Sequence, residues 1–311
     1  MAIDLGLKGK VAVVTGSSRG LGEATARLLA KEGVKVIVNG TAADDVKRVA
    51  KEIKAAGGEA TPVVESVADW QGCGRLIKAA VDTYGQLNIL VNNAGRIPKC
   101  ALLDMTEEIY DRQVDLQLKG VFACTHFAVQ QMVKQGKGGR IINVAGASGQ
   151  RGMIAASHHS ATKGGVIAAT LSWAQELESY GITVNQIRGA FRSATSKPYM
   201  EEAQQRYVEM GRPKPTSRDL GLYEPEEVAV VMVWLASEQA KDINGQYIGC
   251  EGAKAVLWGY TKPLKTVYHF PVWTPETLET IFRPAVQDSF ENIAGNQDIV
   301  PFLKFSSVAR P

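Results

Sequence analysis

Two of the four histidines in this 311-residue chain are adjacent, and the second, His159, is followed four residues later by Lys163. Helical periodicity over residues 153–180 predicts that these two side chains share a helix face, because residues four apart lie one turn from each other. An imidazole with an ordinary pKa of ~6.5 can move protons at neutral pH. A neighbouring ammonium disfavours the imidazolium and lowers its pKa. The pair is therefore a candidate acid/base site.

A glycine-rich turn, Gly16-Ser17-Ser18-Arg19-Gly20-Leu21-Gly22, follows the first apolar run of the chain and precedes a helical pattern. Glycines let the backbone turn tightly and approach a pyrophosphate, and the following helix N-terminus offers free N–H groups. A dinucleotide-binding turn requires this strand-to-helix context. The residues predicted to bind a cofactor here are Gly16, Ser18, Arg19, Gly20, Leu21 and Gly22.

The end of the second apolar run, Asn39-Gly40-Thr41, lacks the acidic residue that would bind a ribose 2′-hydroxyl and favour NAD. Arg19 is near enough in such a turn to pair with a 2′-phosphate. We therefore expect NADP as the cofactor, with NAD as the other candidate, and Asn39 beside it. Asp44 and Asp45 are assigned to the N-terminus of the next helix.

The elements that must position these residues alternate along the chain. Short Val/Ile-rich runs predict buried strands, helical periodicity fills the gaps, and this alternation is typical of βαβ units with a parallel sheet. The fold class is therefore α/β, a doubly wound, Rossmann-like parallel sheet. The predicted strands are 11–15, 35–39, 60–64, 89–92, 140–144 and 183–187, with a short last strand at 246–249, and the predicted helices are 21–32, 44–56, 69–84, 107–135, 153–180 and 224–237.

The alternation is predicted to stop near Gly252, which gives one domain over 1–252, including a substrate lid at 190–223, and an extension over 253–311. Six of the twelve prolines lie from Pro263 to Pro311, and nine of the aromatic residues follow Gly252. A disordered segment usually lacks aromatics, so we expect the extension to pack on the domain or on a subunit interface. A helix over 275–290 is predicted, with Thr274 as its cap and Pro275 at its first position.

Composition excludes several classes of protein. The chain is 45% hydrophobic and 22% charged with a net charge of +3, which fits a globular protein and gives no reason to expect nucleic acid or an anionic membrane as a partner. The longest apolar run, 228–236, is far below the ~20 residues that span a bilayer. No signal peptide is visible, and the four scattered cysteines form no CxxC pair. We expect a cytoplasmic protein without a metal site.

Three further motifs accompany the glycine turn in order: Asn92-Asn93-Ala94-Gly95, Leu118-Lys119-Gly120-Val121-Phe122 and Ser160-Ala161-Thr162-Lys163. With them, residues 7–252 resemble the short-chain dehydrogenase/reductase family. The resemblance implies a nicotinamide cofactor, a small-molecule substrate, and a homodimer or homotetramer built on two long central helices. It also places Asn93, Ala94, Gly95 and Lys163 at the cofactor, and Glu65 on its adenine side.

The catalytic tetrad of that family is Asn, Ser, Tyr and Lys, and only the lysine, Lys163, is kept. His159 stands at the tyrosine position, Gly146 at the serine position and Gln117 at the asparagine position. In the family the tyrosine gives or takes the hydroxyl proton, the lysine lowers its pKa and holds the ribose, the serine holds the substrate oxygen, and the asparagine supports a proton-relay water. Gly189-Ala190 also replaces the usual Pro-Gly beside the nicotinamide.

A rebuilt catalytic site would consist of His159, Lys163, Gln117 and Ser148. Imidazole is shorter than phenol, so a substrate would have to come deeper, and Gly146 opens space there. Gly146 also removes the hydroxyl that holds a carbonyl, which Ser148, two residues on, would partly replace. Gln117 would position a water.

Three functions stay open on these residues. The first is an NAD(P)-dependent oxidoreductase acting on a carbonyl or secondary alcohol. The second is a catalytically silent subunit that forms a hetero-oligomer with an active relative, and the third is a non-redox lyase, dehydratase or cyclase using His159. Tyr199, Met200 and Tyr207 in the lid favour an organic substrate of some bulk. Arg188 and Arg192 are interpreted as solvated surface, with contact to an acidic or CoA-linked substrate as the alternative. The remaining histidines, His126, His158 and His269, are interpreted as packing residues.

Overall fold

A computed structural model describes residues 3–189, 191–193, 196–251, 254–261, 264–268, 272 and 274–289. In this described part the chain forms an eight-stranded sheet with the order β3-β2-β1-β4-β5-β6-β7-β8. Strands β1 to β7 pair in parallel, and β8 pairs antiparallel with β7. The strands are β1 Val11–Val14, β2 Lys35–Gly40, β3 Glu59–Val64, β4 Ile89–Asn92, β5 Gly139–Val144, β6 Ile182–Arg188, β7 Tyr247–Glu251 and β8 Lys254–Trp258.

Helices connect the parallel strands. The described helices are α1 Gly20–Lys31, α2 Ala43–Ala55, α3 Trp70–Tyr84, α4 Glu107–Val114, α5 Gly120–Gln135, α6 Ser148–Arg151, α7 Ser157–Glu176, α8 Lys197–Glu209, α9 Pro225–Ala236, α10 Pro275–Thr277 and α11 Arg283–Val286. A π-helical turn, Asp115–Lys119, joins α4 to α5, and a second, Leu278–Phe282, joins α10 to α11. No helix in these described segments is both long and apolar enough to cross a membrane.

The core lies on both faces of the sheet. Val11 and Val13 contribute to one buried cluster, whereas Ala12 and Val14 contribute to the other. Successive side chains of a strand point to opposite faces, so a strand covered on both sides is apolar throughout. The carboxyl ends of these strands meet at one edge, where ligands bind in open α/β sheets.

The doubly wound α/β fold is as predicted, and most strand ends lie within a residue of their predicted positions. Among the described residues no helix separates β7 from β8, but the sheet continues past Gly252 because β8 pairs antiparallel with β7. The predicted lid contains a helix, α8, with Pro198 in its first turn, where the missing N–H of proline costs nothing. Helix α7 begins at Ser157 and not at 153, since Gly152 and Ala155 have positive φ values of 76° and 52°.

The described chain divides into two compact units, one ending at Trp258 and the other beginning at Gly259. In the second unit Thr274 caps α10 as predicted, because its side chain accepts the N–H of Thr277 and Pro275 takes the first position. Helical turns of three kinds then run to Ser289. The packing of the extension on the domain or on another subunit stays a prediction.

Candidate active site

The glycine turn between β1 and α1 is tied to the segment that follows β4. The Thr15 hydroxyl accepts the backbone N–H groups of Asn93 and Ala94, each at 3.0 Å. The Asn93 side-chain amide donates to the carbonyls of Thr15 and Gly16 at 2.9 and 3.1 Å. Gly16 has a φ of +62°, and a Cβ there would lie 2.8 Å from Ala94 Cα. Asn93 and Ala94 therefore set the shape of the turn.

The first turn of α1 leaves room for an anionic ligand. Gly20 has a φ of +59°, and a Cβ built on it would meet only open space. Arg19 precedes the helix in an extended conformation and makes no capping bond, so the first N–H groups keep the free donors of a helix N-terminus. The Leu21 side chain is buried in the core, which leaves only its backbone N–H for a ligand. These residues fit the pyrophosphate of a dinucleotide.

Packing behind the turn explains its remaining glycine. A Cβ on Gly22 would lie 2.4 Å from the Gly16 carbonyl oxygen and 2.5 Å from the Asn93 amide nitrogen. The exposed Arg19 side chain makes no ion pair with a described residue. It is therefore free to meet a phosphate.

Asn39 on β2 and Arg48 on α2 hold the turn by hydrogen bonds to Gly16 and Ser18. The Asn39 amide oxygen accepts the Gly16 N–H at 3.3 Å, and its amide nitrogen donates to the carbonyls of Val63 and Glu65 at 3.3 and 3.0 Å. Ser18 is buried, and its carbonyl accepts a hydrogen bond from Arg48 at 3.2 Å. Asn39 thus stabilises the turn by linking it to the end of β3.

Glu65 lies after β3 and makes a two-point ion pair with Arg75, at 2.7 and 2.9 Å. Hydrogen bonding from Arg75 lowers the pKa of the Glu65 carboxyl. No motif in the sequence singles out Arg75. If Glu65 also binds the adenine side of the cofactor, its carboxylate must contact the adenine and Arg75 together.

Lys163 is buried on α7, and its ammonium donates to the Val144 carbonyl at 2.6 Å. Burial lowers the pKa of this amine to about 8. Gly146 and Ser148 lie beside it: a Cβ on Gly146 would be 3.5 Å from the Ser148 hydroxyl and 3.9 Å from Lys163 Cγ. The half-exposed Ser148 hydroxyl therefore lies next to the place where the family keeps its serine.

His159 is only 4% exposed, and its Nδ1 lies 3.1 Å from the side-chain nitrogen of Gln113 on α4. An amide nitrogen can only donate, so Nδ1 accepts and the ring proton is on Nε2. Burial lowers the pKa of the imidazole to about 3; Lys163 and His158 add to this shift, and a hydrogen bond to the Arg96 backbone opposes it. The direction expected from Lys163 is confirmed, but the expectation of titration near neutral pH is wrong because burial dominates.

Gln117 lies in the π-helical turn Asp115–Lys119, an irregularity that often marks functional sites. Its amide nitrogen donates to the Arg96 carbonyl. Its amide oxygen is buried and has no partner among the described residues. A Cβ on Gly95 would lie 3.1 Å from that oxygen, so Gly95 leaves the space that Gln117 fills. A water held on the amide oxygen remains a prediction.

A family model described as short chain dehydrogenase matches residues 10–204. The chain belongs to the short-chain dehydrogenase family. Membership supports an oxidoreductase that uses NAD(P), without distinguishing the two nucleotides.

Curated relatives in this family match most of the chain. It is 35% identical over 252 residues to 3-oxoacyl-[acyl-carrier-protein] reductase FabG of Thermotoga maritima, covering 80% of this chain and 99% of the relative. It is 39% identical over 262 residues to the 3-oxoacyl-[acyl-carrier-protein] reductase of Synechocystis, with coverages of 81% and 99%. L-rhamnose 1-dehydrogenase (NAD(P)(+)) of Azotobacter vinelandii is 34% identical over 250 residues, with coverages of 78% and 95%.

Solved structures show the same fold. A short chain dehydrogenase from Mycobacterium avium is 32% identical with a TM-score of 0.76, covering 91% of this chain and 94% of that chain. A putative short-chain alcohol dehydrogenase from Sinorhizobium meliloti is 30% identical with a TM-score of 0.72, covering 81% and 98%.

Helix α8 of this family member is held onto the segment that follows Gly95. The Tyr199 hydroxyl donates to the Ile97 carbonyl at 3.2 Å, and Lys99 forms an ion pair with Glu202. Burial, with Glu202 adding to it, raises the pKa of Tyr199 to about 12, so the phenol keeps its proton. Segment 96–100 therefore lies under the predicted lid, a connection that no motif in the sequence signals.

Two arginines interpreted as solvated surface have partners. Arg192 forms an ion pair with Glu224 at 3.0 Å, and the Arg188 guanidinium stacks 4.2 Å from the Trp258 ring centroid. Ala190 and His269 lie outside the described residues. Among the residues that are described, no group of His, Cys, Asp or Glu is arranged to hold a metal ion.

Proposed function

We propose that the protein is an NAD(P)-dependent oxidoreductase that acts on a carbonyl or secondary alcohol and prefers NADP. The observation that carries this proposal is the free first turn of α1 beside the open space at Gly20. The exposed Arg19 supports the preference for NADP, because a guanidinium pairs well with a 2′-phosphate. The names of the relatives support reduction of a carbonyl or oxidation of an alcohol.

A bound nicotinamide would exchange a hydride with the substrate carbon. The chain itself must hold the substrate oxygen and supply or take its proton. At neutral pH the His159 ring is neutral with its proton on Nε2, so it can donate a hydrogen bond to that oxygen. Ser148, beside the Gly146 gap, is the second candidate donor.

Lys163 is the proposed source of the proton. Its pKa of about 8 lets the ammonium release a proton near neutral pH, whereas an imidazole with a pKa of about 3 is not protonated there. Lys163 lies one helical turn from His159, so a water between them can pass the proton to the substrate oxygen. The same ammonium is the group that the family resemblance places on the cofactor ribose.

A silent subunit, paired with an active relative, is the second candidate. The observation that favours it is the burial of His159, which is 4% exposed and bonded at Nδ1 to Gln113, in a site where three of four tetrad positions differ. A non-redox acid/base reaction at His159 gains no support, since the neutral ring does not titrate near neutral pH.

Cofactor binding tests the proposal first. Titration calorimetry should give tighter binding of NADP⁺ than of NAD⁺. Arg19→Gln should weaken NADP⁺ binding by about tenfold or more, because it removes a charged hydrogen bond to the 2′-phosphate. The affinity for NAD⁺ should stay nearly unchanged. The matched control is Arg112→Gln, which removes an exposed arginine paired with Glu108 on α4. Failure to bind either nucleotide would overturn the proposal.

Turnover separates the two candidates. The oxidoreductase predicts a change in nicotinamide absorbance with ketones or secondary alcohols, and a loss of that change in His159→Ala with cofactor affinity retained. Cofactor binding with no turnover across the panel, together with a co-purified second chain, would instead establish the silent subunit.

A further inference from the structure

We propose that Arg96 and His158 form a subsite for a carboxylate on the substrate, so that the substrate class is oxo acids or hydroxy acids. This inference rests on the proposed function and assigns the substrate class of the same site. Neither residue belongs to the tetrad positions or to the glycine turn. Both lie at the carboxyl edge of the sheet, next to residues that the family resemblance places at the reaction.

Arg96 carries a positive charge that no described residue neutralises. The residue is half-buried, its Nε is fully buried, and that nitrogen has no hydrogen-bond partner in the described chain. No carboxylate of a described residue forms an ion pair with it; other arginines at this end of the fold, such as Arg192, have one. Burying part of a guanidinium without an acid costs free energy, which an anionic ligand would offset.

His158 is the second unsatisfied group. It is 2% exposed, and both of its ring nitrogens are buried without a partner in the described part of the protein. A neutral imidazole has one N–H donor, and leaving it unused in the interior costs about 1–3 kcal/mol. One helical stretch brings the two residues together, because Gln113 contacts His159, the neighbour of His158, and Gln117, four residues later, donates to the Arg96 carbonyl. Burial lowers the pKa of His158, and the charge of Arg96 lowers it further.

Their position puts the subsite beside the reacting group. The Arg96 carbonyl accepts a hydrogen bond from Gln117 in the π-helical turn. The next carbonyl, of Ile97, accepts one from Tyr199 of the lid. His158 directly precedes His159 on α7. The segment that carries Arg96 therefore lies between the helical turn of Gln117 and the lid, and we place the ligand beside it. Its carbonyl or hydroxyl would then lie near His159.

An anion at this place has two sources, a substrate carboxylate or a phosphate of the cofactor. The turn at the N-terminus of α1 already offers free N–H groups and Arg19 for phosphates. Arg96, by contrast, follows Gly95 and lies against Gln117, on the side of the tetrad positions. These placements favour the substrate carboxylate, and the two sources predict different effects on cofactor affinity.

The test uses the NADP⁺-loaded protein and three pairs of probes that differ only in charge. Pyruvate, acetoacetate and levulinate are compared with their methyl esters by titration calorimetry, so that three spacings between carbonyl and carboxylate are sampled. At least one acid should bind about tenfold or more tightly than its ester, as expected for a charge-assisted hydrogen bond.

Arg96→Met should abolish that preference while leaving ester affinity and NADP⁺ affinity within about twofold, and Arg96→Lys should retain part of it. His158→Phe, which removes the N–H, should weaken binding of the acid by a smaller factor than Arg96→Met does. Arg112→Met is the matched control and should behave as the wild type. Thermal melting of each variant checks that it folds.

Equal affinities for acid and ester in all three pairs would overturn the subsite. So would a parallel loss of NADP⁺ affinity in Arg96→Met, since the arginine would then serve the cofactor. Because binding is measured without turnover, the proposals fail separately. If the protein prefers acids through Arg96 but changes no nicotinamide, the subsite is supported and the oxidoreductase is contradicted. If it turns over neutral carbonyls but binds acids no more tightly than esters, the oxidoreductase is supported and the subsite is contradicted.

Discussion

Mild acid should destabilise this protein through His159. The imidazole is buried with a pKa of about 3, whereas the same group in the unfolded chain has a pKa of 6.5. Between pH 6.5 and pH 3 the unfolded chain binds a proton at this residue that the folded protein does not bind. The free energy of unfolding must therefore fall as the pH falls through this window.

The size of the loss follows from the two pKa values. Each unit of pH inside the window costs about 1.4 kcal/mol. From pH 7 to pH 4.5 about two of these units are crossed, so His159 alone removes about 2–3 kcal/mol from the free energy of unfolding. His159→Gln cannot take up this proton in either state, and it should lose less stability over the same pH change by that amount.

Urea unfolding at pH 7 and at pH 4.5, followed by circular dichroism, measures the difference for each variant. Comparing the two pH values within a variant removes any constant cost of the substitution itself. The control is His126→Gln, which changes the exposed histidine on α5 and leaves His159 in place. It should keep the acid sensitivity of the wild type.

The reasoning is refuted if His159→Gln and the wild type lose the same stability between pH 7 and pH 4.5. That result would mean that His159 takes up its proton equally in both states. The imidazole would then not be the buried, neutral group held by Gln113, and the assignment of the substrate proton to Lys163 would lose its basis.

Two further substitutions probe the turn and the lid. Gly22→Ala places a Cβ against the Gly16 carbonyl and the Asn93 amide, so it should lower stability by roughly 1–3 kcal/mol and weaken NADP⁺ binding, measured by thermal melting with and without nucleotide; unchanged melting would contradict the packing described. Tyr199→Phe removes the bond to the Ile97 carbonyl, worth about 1 kcal/mol, and should speed amide hydrogen exchange in α8 but not in α9. Equal exchange in both proteins would show that this bond does not hold α8.

The central parallel strands could be predicted from the sequence because both faces of strands such as β1 and β4 are covered. Ile89–Asn92 has its predicted bounds, and β1 differs by one residue. In contrast, β8 has exposed residues along its length and follows Gly252 in a proline-rich stretch, so its pattern does not stand out from a loop. Helix α8 was missed because its polar composition and Pro198 are equally typical of a loop.

Some features of the candidate site could be predicted from the sequence, and others depend on the folded structure. The glycine turn and the register from Gln117 to Lys163 are local patterns, so sequence alone predicts them. The partner of His159 is Gln113, on a different helix, and the depth at which His159 lies is a property of the packed fold. That Arg96 meets no carboxylate among the described residues is likewise a property of the packed fold, because the spacing of residues in a sequence does not show which charges pair.

The strand order has a consequence for how copies of the chain behave at high concentration. The two outer strands, β3 and β8, have backbone groups that a neighbouring molecule's strand can pair with, the route by which sheets stack into aggregates. Each outer strand carries a deterrent: Pro62 in β3 lacks an N–H, and the exposed Lys254 puts a charge on β8. By pairing with β7, β8 also covers the edge that β7 would otherwise leave open. Both edges of the sheet in the described chain therefore carry a feature that disfavours edge-to-edge association.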